Sequence, residues 1–95
     1  MSDVDTGLVD QYLTRIHQLA VKEQAGEDIG VALGTAVVEA VDHFAKVFNP
    51  VAQLEYFIGQ LKFNAELILA SQPAHANVLL RAAEMASHVN AQPEA

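Results

Sequence analysis

Two glutamate–histidine pairs are the residues whose types and spacing best fit a chemical task. Glu39-x-x-x-His43 and Glu84-x-x-x-His88 each set a carboxylate and an imidazole one helical turn apart, and the two pairs repeat at an interval of 45 residues. Carboxylate oxygens and neutral imidazole nitrogens together suit iron, manganese and zinc. Residues at i and i+4 share one side of a helix, so each pair could present two ligands at once. Asp10 and Glu55 stand at the same 45-residue interval and would add two single carboxylates.

Helical bundles that hold two metal ions use a comparable set: a carboxylate from each of two helices and a Glu-x-x-His pair from each of the other two. Here the spacing is longer by one residue. Glu39 and His43 also fall beside Asp42 and Lys46, off the apolar stripe Ile29, Leu33, Ala36, Ala40, Phe44 and Val47. A metal centre inside a bundle needs inward-pointing ligands. Solvent-facing pairs worth about 0.2–0.5 kcal/mol each are therefore the leading expectation, and metal binding by Glu39, His43, Glu84 and His88 is the competing one. No cofactor is expected.

His43-Phe44-Ala45-Lys46 resembles the phospho-accepting motif of histidine phosphotransfer domains, which are also small four-helix proteins. The resemblance spans four residues and implies His43 as the acceptor. It departs at Val47, where that family normally has glycine. His17 and His75 have no partner at a telling spacing and read as ordinary surface residues. Ser2, Ser71 and Ser87 sit in no nucleophile-elbow setting, and the five glycines form no phosphate-cradling loop. The chain is expected to be non-catalytic.

The elements that would carry these residues are all helices. Val9, Tyr12, Leu13, Ile16, Leu19 and Ala20 recur with helical period over 6–24, with Gly26 as the stop. Asp28 is placed to cap a second helix over 28–48. Asn49-Pro50 ends that helix and starts a third over 50–70, with Asn49 as N-cap and Pro50 in the first turn. Pro73 follows the same logic for a fourth helix over 74–89, leaving 1–5 and 90–95 to fray. No segment alternates with period two, and no tight hairpin turn is present. The expectation is one all-α domain over 1–95: an up-down antiparallel four-helix bundle, or two helical hairpins closed or extended by dimerisation. The 45-residue self-match also aligns Ile16 with Leu61 and Ala20 with Ala65, which a duplicated hairpin would explain.

Composition narrows the function class. Five basic residues against twelve acidic ones, for a formal charge of −7, argue against a nucleic-acid binder, because phosphate contacts need clustered Lys and Arg. Without cysteine there are no disulfides, thiolate metal sites or cysteine nucleophiles. The acidic start predicts no secretion signal. Glu39, Asp42, His43 and Lys46 interrupt the apolar stretch from Ile29 to Phe48, which predicts no membrane span. A cytoplasmic location is the expectation.

Hydrophobic residues make up 52% of the chain, more apolar surface than 95 residues hide with ease. Beyond the main stripe of helix three (Leu54, Phe57, Ile58, Leu61, Ala65, Ile68) runs a second row of Tyr56, Phe63, Leu67 and Ala70. Gln53 and Glu55 are among the few residues that dilute it. Val31 and Val38 lie outside the main stripe of helix two, and Gly30-x-x-x-Gly34 would admit a second backbone there. Gly30, Val31, Gly34, Val38, Tyr56, Phe63 and Leu67 are therefore the candidate interface. The expected function is a helical protein–protein interaction module, either a homodimer or an accessory or inhibitory subunit on a larger protein.

Overall fold

In the computed structural model, residues 4–47 and 49–91 are described, and they form four helices: α1 (Thr6–Gln24), α2 (Gly30–Phe44), α3 (Pro50–Ile68) and α4 (Pro73–Ala91). No strand occurs among the described residues. No helix among them is long and apolar enough to cross a membrane.

Each boundary has a local cause. The Asp5 carboxylate accepts the Leu8 N–H at 3.0 Å and caps α1. Its C-terminus closes on Gly26 at φ +99°, where the Gly26 N–H reaches the Glu23 carbonyl at 2.9 Å and the Glu27 N–H the Lys22 carbonyl at 3.1 Å. That paired closure needs the left-handed conformation glycine adopts freely. Asp28 accepts the Gly30 N–H at 3.0 Å, but the cap position itself falls on buried Ile29. α2 is shorter than its apolar pattern suggested. After Phe44 the chain tightens, with the Lys46 and Val47 N–H groups bonded to the carbonyls of His43 and Phe44. Phe48, the expected end of α2, lies outside the described residues.

Asn49 occupies the N-cap position of α3, though not by the expected side-chain bond. It adopts a left-handed backbone at φ 65°, and its carbonyl accepts the Gln53 N–H. Asparagine is among the residues that tolerate that region, and the helical conformation is disfavoured before Pro50. Pro73 itself opens α4, and the helix continues two residues past the expected end.

The apolar stripes converge on one core. α1 contributes Val9, Leu13, Ile16, Leu19 and Ala20, α2 contributes Leu33, Ala36, Val37, Ala40 and Phe44, and α3 contributes Leu54, Phe57, Leu61 and Ala65. An edge-to-face ladder of Tyr12, Phe44 and Phe57, with centroids 5.7 and 5.2 Å apart, ties these three helices together. α4 has no Phe, Tyr or Trp. Its buried residues are Ala76, Val78, Leu79, Ala82, Ala83 and Ala86, and it packs against all three other helices. α4 still turns Leu80, Glu84, Ser87 and His88 to solvent, so it packs on three neighbours without being surrounded.

Helix directions come from named contacts. Tyr12 meets His43 and Arg15 meets Glu39, so α1 and α2 run in opposite senses. His17 meets His75 and Glu23 meets Arg81, both separated by 58 residues, so α1 and α4 run in the same sense. An up-down bundle opposes its first and last helices, and the α1–α4 seam departs from that rule. The molecule is 37 × 33 × 19 Å, about two helices deep.

Gln53, read from sequence as a polar residue on the outer row of α3, is fully buried. Its side chain accepts the Asp5 N–H at 2.8 Å and donates to the Asp5 carbonyl at 2.9 Å. Asp5, assigned from sequence to a fraying end, is thus held at both backbone groups by a residue 48 positions away. Gln53→Leu keeps the volume but removes both bonds, leaving the Asp5 carbonyl only the Val9 N–H. It should cost about 1–3 kcal/mol in chemical denaturation and release the first turn of α1 to hydrogen exchange.

Candidate functional site

The α1–α2 groove gathers the first Glu-His pair. Tyr12, Glu39, Asp42, His43 and Lys46 line an open cleft on the surface. The Tyr12 hydroxyl and His43 Nδ1 share a hydrogen bond at 3.1 Å, with the two rings edge to face at 5.9 Å. Arg15 donates to Glu39 at 2.7 Å, and that bond, with the charge behind it, holds the Glu39 carboxyl below its usual range. Lys46 pairs with Asp42 at 3.4 Å. Glu39 and His43, one turn apart on α2, therefore turn to different partners on α1. Lys46, the positive charge of the phosphotransfer-like motif, is engaged by a carboxylate beside His43.

The second pair lies elsewhere. Glu84 and His88 line a cleft between α3 and α4 with Lys62, Leu80, Ala83 and Ser87. Asp10 and Glu55 are exposed. Among the described residues no three His, Asp or Glu side chains converge to hold a metal ion. The 45-residue interval reproduces burial, since Ile16 and Leu61 are buried, as are Ala20 and Ala65, and all four members of the Glu-His pairs are exposed. It does not bring the two pairs to one site.

Two histidines that sequence reading left unpaired do meet. His17 Nδ1 and His75 Nε2 lie 2.8 Å apart across the α1–α4 seam, with ring centroids at 5.0 Å and an interplanar angle of 47°. Both are half-buried. Burial, and then the adjacent His75, push the His17 pKa below the ordinary 6.5. No signal along the chain announces this contact, because it joins different helices and arises only from how α1 lies on α4. Further along the same seam, Arg81 donates to Glu23 at 2.9 Å.

The interface candidates are mostly left open. Val31 is 86% exposed, Leu67 65%, and Val38 and Phe63 56% each, while Tyr56 is half-buried. A methyl group added at Gly34 would meet nothing within 4 Å, and one at Gly30 only the Asp28 carboxylate at 3.4 Å. The two glycines therefore accommodate no other helix of this chain. Comparisons with protein-family models, curated proteins and solved structures return no match.

Tyr12 bridges the α1–α2 cleft and the aromatic ladder, and two substitutions separate those roles. Tyr12→Phe removes only a solvent-exposed hydrogen bond and should cost roughly 0.5 kcal/mol, the low end for such bonds. Tyr12→Ala also removes the Phe44 contact and should cost at least about 1 kcal/mol more. Denaturant titration of the two variants reads the difference.

Proposed function

We propose that this chain is a non-catalytic helical interaction module that self-associates through the faces its own fold leaves uncovered. The observation that carries this reading is the exposure of Phe63 and Leu67, one turn apart on α3, and of Val31 and Val38, two turns apart on α2. The chain has an apolar core to which all four helices contribute, yet these large side chains remain in water. Contiguous exposed apolar surface beyond a few hundred Å² commonly marks an interface. The architecture is read as two crossed helical hairpins, α1–α2 and α3–α4, which dimerisation extends on their outer faces.

Gly30 and Gly34 sharpen the reading. Glycine inside a helix costs about 1 kcal/mol relative to alanine; Gly30 only opens α2, whereas Gly34 lies within it and nothing in the chain uses the space it leaves. A second helix backbone lying against α2 would use it. The acidic charge, −7 over the chain, then stays outside the apolar contact and keeps the assembly soluble. Docking on a larger protein as an accessory or inhibitory subunit would draw on the same faces.

Light scattering decides the self-association claim, and a dimer should give twice the 10.2 kDa chain mass. Phe63→Glu and Leu67→Glu should each yield a helical, cooperatively folding monomer. A wild-type protein that stays monomeric at tens of micromolar overturns self-association. Gly34→Ala should raise the stability of the monomer by about 0.5–1 kcal/mol while weakening the dimer. A rise in stability with no change in association would remove α2 from the interface.

A further inference from the structure

We infer that His17 and His75 form an acid-sensitive latch joining α1 to α4. The facing nitrogens are 2.8 Å apart, so one must carry a hydrogen and the other a lone pair. With both rings neutral, or with one proton added in total, a single N–H···N bond can span the seam. When both rings are protonated, all four nitrogens carry hydrogens. The bond is then lost, and two cations face each other in a half-buried contact. The proton therefore acts on the joint that aligns α1 with α4.

The surroundings leave this pair to answer to itself. Along the seam, the Glu23 carboxylate of α1 and the Arg81 guanidinium of α4 are paired with each other at 2.9 Å. On α2, Glu39 is held by Arg15, Asp42 by Lys46, and His43 by Tyr12. On α3, Lys62 lines the cleft with Glu84 and His88 of α4. None of these groups bonds to either imidazole, and no carboxylate among them offsets a second positive charge in the pair. Nor does a third His, Asp or Glu among the described residues join the pair to make a metal site.

The direction of the response follows from the depressed His17 pKa. A group that binds its proton less readily when folded contributes stability above its unfolded pKa, near 6.5, and loses it as pH falls through the lower folded value. The latch is closed at neutral pH and is released only as pH falls through the depressed folded value of His17, when the second ring takes its proton.

Nuclear magnetic resonance titration of the four histidine rings in the intact protein tests this directly. His17 should titrate below 6.5, and His75→Gln should move that midpoint upward. Thermal midpoints measured from pH 7.5 to 5.0 supply the second readout. Wild type should lose stability over that window, and the double variant His17→Gln/His75→Gln should lose markedly less. His43→Gln and His88→Gln should keep the wild-type acid response. If His17 titrates at its ordinary value and is unaffected by His75→Gln, the latch is overturned. An acid response of the double variant equal to wild type overturns it as well, even if the variant is less stable throughout.

Discussion

A helix packs most closely against several neighbours when its side chains are short enough for the axes to converge. Helix axes usually lie 8–10 Å apart, and bulk at the contact decides where in that range they settle. α4 meets the demand with Ala76, Ala82, Ala83 and Ala86, all buried, and fills the remaining gaps with Val78 and Leu79. The large side chains come from the partners, as Ile16, Leu33, Phe44, Phe57 and Leu61. The core is thus divided between an alanine-rich helix that lets others approach and three helices that supply the bulk. In a chain of 95 residues this arrangement brings every helix to one core.

Apolar contact has little direction, so the polar links do the orienting. Gln53 ties the start of α1 to the start of α3 through two hydrogen bonds with Asp5. His17–His75 and Glu23–Arg81 set α1 on α4 in the same sense. Tyr12–His43 and Arg15–Glu39 set α1 against α2 in the opposite sense. The exposed ion pairs contribute little energy singly. The Gln53 bonds matter more, because the Gln53 amide is fully buried and an unmade hydrogen bond there is costly. α1 takes part in each of these links, which makes it the element whose release would loosen the most.

The surface carries the functional argument. The residues that looked chemical in sequence are spent on neighbours or divided between two clefts, and the apolar residues that looked surplus stay in water. Val31, Val38, Phe63 and Leu67 have no place in the core, because α2 and α3 each turn only one stripe inward. At Gly34 an added methyl group would meet nothing within 4 Å, so no helix of this chain uses that space.

Much of the secondary structure was legible in the chain because its causes are local. Gly26, Asp28, Pro50 and Pro73 act within a few residues of themselves, and helical periodicity picks out the buried face of each helix without reference to any other. The solvent-facing placement of Glu39, His43, Val31 and Phe63 followed from that same periodicity. The tertiary structure alone decided that α4 sits among the other three, that α1 and α4 run in the same sense, and that Gln53 turns inward. It also decided that His17 finds His75 while the two Glu-His pairs stay apart. These outcomes depend on crossing angles and on side-chain volumes contributed by several helices together, and no spacing along one segment encodes a sum over its neighbours.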